Sequence, residues 1–223
     1  MRHLLIILLA ILALACAFPL IGRGEDKHYM IVFASQTELQ IPRGSHTFAV
    51  FMKVNADEGR GTPKVDFHCI SWLPKSLRIE VGSAEEGRNL TLEETIEWAR
   101  KLNSKVTMWG PLAIKPEFYE LALRQENRLK SNKISYMALY TEGRGQKVSN
   151  CIHALADVDT TREPLDTSTL FGVAASEAIC EYFEPWLLDS ECPKELCEMI
   201  KLKTEGVTVM KRNAAKASGN TMK

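Results

Sequence analysis

The residue best placed to do chemistry is Cys151, in the stretch Ser-Asn-Cys-Ile-His-Ala that opens an apolar helical run. Asn150 is a favoured helix N-cap, so Cys151 is predicted to lie in the first turn of a helix. Backbone N–H groups and the helix dipole there stabilise a thiolate, which is the nucleophilic form of cysteine. The same N–H groups can hold the developing oxyanion of a carbonyl substrate. The pattern therefore indicates a cysteine nucleophile with a lowered pKa.

A thiol nucleophile of this kind also needs a general base, and the sequence offers two histidines on strands. A third, His153, lies roughly 200° around the predicted helix from Cys151, so its ring points away from the thiol. His46 begins the apolar face of the predicted strand HTFAVFMKV, and His68 lies in the middle of KVDFHCISWL. We predict that His46 is the base, and that His68, or Asp66 on the same strand face, orients its ring.

Strands in the first half and helices in the second half must position these residues. Runs of β-branched and aromatic residues predict strands at 28–35, 46–54, 64–73 and 77–83. Segments 105–114 and 133–141 also read as extended chain. Helical spacing and capping signals predict helices within 89–104 and 115–132, from Cys151 onward, over about 167–183 and after Pro193. This order of elements predicts a single α+β domain over residues 25–210.

The order of two strand-borne histidines followed by Asn-Cys-x-His at a helix start resembles the circularly permuted papain-like cysteine enzymes. Within them it is most similar to the lecithin–retinol acyltransferase-like branch, whose helix begins NCEHF where this chain has NCIHA. The resemblance covers roughly residues 28–158. Ile152 and Ala154 depart from the acidic and aromatic residues of that motif, and two predicted helices intervene before the cysteine.

This resemblance implies a permuted papain-like fold, with an antiparallel sheet packed against the helix that bears the cysteine and extra helices at the C-terminus. It implies that Cys151 is the nucleophile, His46 the base and His68 the orienting residue. The activity it implies is that of a thiol hydrolase or acyltransferase. Such an enzyme forms an acyl-enzyme on an amide or ester bond of a peptide, cell-wall peptide or lipid, and it needs no cofactor.

Two other classes of protein stay open. His68, Cys69, Cys151 and His153 are all possible zinc ligands, although the strand and helix geometry points the members of each pair apart. In the other alternative the chain is a non-catalytic binding domain, exported or membrane-anchored, in which Cys151 is inert or disulfide-bonded.

Residues 1–24 have the layout of an export signal, with Arg2 before an uncharged apolar run and small residues around Cys16. Cleavage, lipidation at Cys16 and retention as a membrane anchor all stay open, and each places the domain outside the cytoplasm. Residues 211–223 form a polar tail that is predicted to be disordered.

Charge and cysteine content restrict the partners. Lys plus Arg number 28 and Asp plus Glu number 28, so no overall field attracts nucleic acid, and membrane contact is expected only through the N-terminal segment. Beyond Cys16 the chain has an odd number of cysteines, which leaves at least one thiol free or bound to another molecule in an oxidising compartment. Cys180, Cys192 and Cys197 lie close in sequence, and their connectivity cannot be read from sequence.

Overall fold

The computed structural model describes residues 25–39, 42–55, 64–140, 147–167 and 171–210. The predicted export signal or anchor over 1–24 and the predicted tail over 211–223 lie outside these residues. The described part of the chain is α+β, as the sequence predicts, and contains two sheets and five α-helices.

The strands, in chain order, are β1 (Lys27–Gln36), β2 (Ser45–Val54), β3 (Val65–Ile70), β4 (Trp72–Pro74), β5 (Glu85–Asn89), β6 (Lys105–Ile114), β7 (Ser135–Tyr136), β8 (Val148–Ser149) and β9 (Thr208–Met210). The helices are α1 (Leu92–Lys101), α2 (Pro116–Lys130), α3 (Cys151–Ala156), α4 (Gly172–Tyr182) and α5 (Lys194–Lys203). Short 3-10 turns lie at Pro42–Gly44 and Glu184–Trp186.

The larger sheet has the strand order β3-β2-β1-β6-β9. Its pairs are antiparallel except β6 with β9, which is parallel. The smaller sheet has the order β4-β5-β7-β8, and β8 leads directly into α3. Cys151 is thereby held between the two sheets by the strand that precedes its helix.

Helices cover both faces of the larger sheet. Because side chains alternate along a strand, His46 and Phe48 of β2 share one face while Thr47 and Phe51 share the other. On the first face the ring of His46 lies 5.5 Å from Trp98 of α1. The second face packs against α2, where Phe118 meets Phe51, and against α4, where Ser176 meets Thr47. Both faces of β2 are consequently buried, and this decides the geometry of the candidate site.

Two predicted elements differ from the structure. The run 77–83 is not a strand, and Leu77 has a positive φ of 59° that interrupts extended chain. The strand forms instead at β5, where Gly87 lies directly against the indole of Trp72 and a side chain at this position would overlap that ring. The described part of the segment 133–141, residues 133–140, contributes only the two residues of β7. Segment 105–114, by contrast, is the long strand β6, which pairs with β1 along most of its length.

The helix starts follow local rules. Thr91 and Glu94 form the predicted capping box at the start of α1. The predicted helix over 167–183 begins later, at Gly172. None of the helices formed by the described residues has the length and apolar character that crossing a membrane requires.

Candidate functional site

Cys151 is the first residue of α3, as predicted from its N-cap. The side-chain carbonyl of Asn150 accepts a hydrogen bond from the His153 backbone N–H at 2.8 Å. The amide of Asn150 also donates to the Tyr140 carbonyl at 2.8 Å. The start of the cysteine helix is therefore fixed both locally and to the preceding loop.

Three backbone N–H groups face the Cys151 sulfur, those of Thr47, Cys151 and Ile152. They favour the thiolate, but the residue is only 9% exposed, and burial disfavours a charged sulfur more strongly. The net effect of burial against these donors raises the thiol pKa to about 11. The predicted lowering of the Cys151 pKa is therefore wrong, because desolvation outweighs the N–H groups, and the resting sulfur is a neutral thiol.

The thiol lies at a cavity of about 110 Å³. Apolar parts of Ile79, Leu139 and Phe171 line it, together with Thr47 and Tyr136. Tyr136 is 3% exposed, and its hydroxyl makes no hydrogen bond that the described residues show. Burial and the neighbouring Cys151 raise the Tyr136 pKa well above its ordinary value, so this hydroxyl is a neutral donor.

His46, the predicted base, is not among the residues that line this cavity. Ser45 and Thr47 line the cavity at Cys151, and strand alternation puts the side chain of His46 on the opposite face of the sheet from theirs. There the His46 Nε2 lies 2.9 Å from the Ser71 hydroxyl oxygen, and the ring stacks on Phe48. The ring is fully buried, and burial lowers its pKa to about 3. His46 is a neutral core residue.

His68, predicted to orient His46, is hydrogen-bonded to a different residue. Its Nδ1 lies 2.8 Å from a carboxylate oxygen of Glu126 on α2, whose other oxygen accepts from Lys130 at 2.7 Å. Because a carboxylate only accepts, Nδ1 is the donating nitrogen. Nε2 makes no hydrogen bond that the described residues show. The His68 side chain is 34% exposed and lines a second cavity, of about 310 Å³.

His68 also lies too far along the sheet to serve Cys151. It pairs with Phe51 of β2, whereas the sulfur is next to Thr47. Four residues of strand separate these positions by roughly 13 Å. The alternative orienting residue, Asp66, makes an exposed ion pair with Lys64 at 3.9 Å. The structure therefore brings none of the three predicted partners to the thiol.

The sequence did not predict the neighbours that Cys151 and His68 have in the structure. Thr47 follows His46 directly, and only knowledge of which face α3 covers distinguishes the two. Glu126 carried a usable signal, since helical spacing places it on the stripe of Ala122 and Leu129, and a carboxylate on an apolar stripe calls for a buried partner. Tyr136 carried none beyond its place in an apolar run.

A metal site or a similarity to known proteins would be independent evidence for a function. Within the ranges that the structure describes, no group of three or more His, Cys, Asp or Glu side chains is arranged to hold a metal ion. Comparisons with family models, curated proteins and solved structures give no match to this chain. The arguments for function accordingly come from the site itself.

Proposed function

We propose that this chain is an exported acyl-binding domain. Its cavity beside Cys151 takes a carbonyl group attached to a small apolar body, as found in a short acyl chain or an apolar peptide residue. The observation that carries the proposal is the cavity itself, where a neutral thiol and a Tyr136 hydroxyl that has no hydrogen bond among the described residues lie beside largely apolar walls. Both groups are hydrogen-bond donors, and a carbonyl oxygen is an acceptor that both can reach.

The size of the cavity limits the bound group. A core cavity of about 150 Å³ is large enough for benzene, so the 110 Å³ here admits a group of comparable or slightly smaller size. The ligand therefore inserts one end, such as a branched side chain or a few methylenes. If the N-terminal segment exports the protein, the ligand is a peptide, a cell-wall peptide or a lipid outside the cytoplasm.

Binding is favoured over hydrolysis because the cavity offers no proton acceptor among the described residues that line it. The ionisable groups there are the Cys151 thiol and the Tyr136 and Tyr140 hydroxyls, which are poor bases at neutral pH when protonated. A thiol with a pKa of about 11 is overwhelmingly neutral at pH 7. General-base attack on an unactivated amide or ester would lack its first proton transfer.

A second candidate is the thiol hydrolase or acyltransferase of a permuted papain-like enzyme. The three N–H groups around Cys151 support it, since they suit a thiolate or an oxyanion. The helix that bears the cysteine also packs against an antiparallel strand, as that arrangement requires. Activity would need an imidazole at the thiol, and His46 reaches that face only if β2 shifts by one residue.

The test uses butyramide as the acyl probe and methyl methanethiosulfonate as the thiol reagent. Saturating butyramide should slow the modification of Cys151, followed by peptide mass spectrometry, while the modification of the partly exposed Cys197 stays unchanged. The Ala138→Phe variant fills the cavity, and its Cys151 should be insensitive to butyramide. Failure of butyramide to protect Cys151 at any concentration would refute the proposal.

The same preparations decide the second candidate. Incubation with p-nitrophenyl butyrate should give no continuous turnover beyond that of a Cys151→Ala variant. Sustained turnover that is lost in both Cys151→Ala and His46→Gln, with both variants folded, would establish the enzyme instead.

A further inference from the structure

Two cysteines flank the start of α5 in a geometry that brings their side chains together. Pro193 is the N-cap of α5, so Cys192 precedes the cap and Cys197 is the fourth helical residue. Side chains at these two positions meet across the first turn, where apolar pairs form the hydrophobic staple. The thiol of Cys197 lies 4.0 Å from the Cys192 carbonyl oxygen. The Cys197 side chain is close enough to the Cys192 thiol to contribute to its raised pKa.

The start of α5 lacks another restraint of this kind. Pro193 has no side-chain oxygen, and no side-chain cap supports the first turn. Yet α5 buries Leu196 and Ile200, which are 1% and 3% exposed. It also reaches α1 through an ion pair of Lys203 with Glu93 at 2.9 Å. A covalent link at the N-terminus would hold this helix where it covers the sheet.

The fold separates the third cysteine of the C-terminal region from this pair. Cys180 is buried on α4, and α4 packs on the Thr47 face, where Ser176 reaches Thr47 at 3.4 Å. The chain then passes the end of β6, where Leu188 bonds to Ala113, before α5 begins. Because α5 packs with α1 on the His46 face, the sheet lies between Cys180 and the two other thiols.

Exposure distinguishes the pair from the other described cysteines. Cys192 and Cys197 are partly exposed, whereas Cys69, Cys151 and Cys180 are buried. Burial, together with the neighbouring Cys197, raises the Cys192 pKa to about 12. An exchange reaction requires that an oxidant reach one sulfur, and among the described cysteines these two are the most exposed.

We propose that Cys192 and Cys197 form a disulfide bond that clamps the N-terminus of α5. Both thiols lose their protons and together give up two electrons, and one S–S bond forms between their sulfurs. The oxidant is a disulfide, of a small thiol or of an oxidoreductase, which is reduced to two thiols. Such an oxidant is present in the oxidising compartments to which the N-terminal segment would direct the chain.

The experiment oxidises the purified full-length chain with glutathione disulfide, blocks the remaining thiols with N-ethylmaleimide and digests without reduction. Cleavage after Lys194 separates Cys192 from Cys197, and additional cleavage after Glu181 or Glu191 separates Cys192 from Cys180, so the bond appears as a pair of linked peptides that identifies both cysteines. We expect the loss of two thiols per chain and a linkage that joins Cys192 to Cys197. Dithiothreitol should restore both thiols and lower the thermal midpoint of the same protein.

Two variants complete the design. Cys197→Ser should abolish the linkage, while Cys180→Ser, the matched control, should leave it intact. A bond from Cys180 to either partner, or two thiols that stay free at high oxidant, would overturn the proposal. The result is independent of ligand binding, because butyramide protection of Cys151 is measured on the reduced and oxidised chain alike.

Discussion

Two cavities of this protein each contain at least one of the two kinds of residue that a cysteine enzyme combines. One contains a thiol at a helix start with three N–H groups on its sulfur, but no imidazole lines it. The other contains the His68 imidazole, held by the buried carboxylate of Glu126; Cys69 also lines this cavity, although its side chain lies on the opposite face of the strand from that of His68. The Cys151 thiol and the His68 imidazole are thus both present, but they lie in different cavities and cannot act together as nucleophile and base.

The difference between the two cavities shows that burial determines the direction in which the pKa of each group shifts. Cys151 is buried without a cationic partner, so its pKa rises. His46 is buried without an anionic partner, so its pKa falls. His68 is half-exposed and faces a carboxylate. Each prediction below tests whether a group is buried away from solvent or accessible to it.

The largest expected effect is acid destabilisation through His46. Its pKa is about 3 in the folded protein against 6.5 in the unfolded chain, so the unfolded state binds more protons between these values. Stability is therefore complete above pH 6.5 and falls with decreasing pH, by at most about 1.4 kcal/mol per pH unit and ~5 kcal/mol in all. Urea unfolding at pH 7, 6, 5 and 4 measures this slope. A His46→Gln variant should lose most of this pH dependence. An unchanged slope in the variant would show that His46 is not buried in its neutral form.

The next effect concerns the thiol. A pKa of about 11 instead of 9.0 leaves roughly a hundredfold less thiolate at neutral pH. Iodoacetamide should therefore alkylate Cys151 about a hundred times more slowly than a model thiol, with a rate that rises tenfold per pH unit toward pH 11. Peptide mass spectrometry at several pH values gives these rates. Alkylation faster than the model thiol would break the comparison, since it would mean that an activating base is present.

Replacement of the buried carboxylate should affect stability. The Glu126 side chain is only 8% exposed and pairs with both His68 and Lys130. Because Glu126→Gln removes its charge, the variant should lose about 1.5–3 kcal/mol of unfolding free energy. The matched control is Glu93→Gln, whose exposed pair with Lys203 should be worth less than about 1 kcal/mol. Urea titration of both variants tests the difference. Equal losses of unfolding free energy in the two variants would mean that the buried Glu126 contributes no more to stability than an exposed ion pair does.

The smallest effect distinguishes the imidazoles by access. Diethyl pyrocarbonate should modify His68 in the native protein about tenfold faster than His46 or His153, which react only after local opening. The exposed fractions are 34% for the His68 side chain, against 0% for His46 and 1% for His153. Peptide mapping after short reaction times gives the order. Native modification of His46 first would place it on an open surface.

The sequence predicted the elements well where local rules act. Strands β1, β2 and β3, the capping box of α1 and the helix start at Cys151 all follow from alternation, spacing and cap chemistry within a few residues. The candidate site was predicted only as far as Cys151 itself. The predicted partners, His46 and His68, do not lie at the thiol, because their position depends on which layer covers which face of the sheet.

What the sequence by itself determined is the set of reactive side chains and the local position of each, such as a thiol capped by Asn150 at a helix start. Only the tertiary structure decided that Thr47 and not His46 meets that thiol. Both faces of β2 are apolar and both are buried, so alternation alone cannot say which one receives α3. Likewise, His68 and Glu126 are 58 residues apart in sequence, and only the packing of α2 on the sheet joins them.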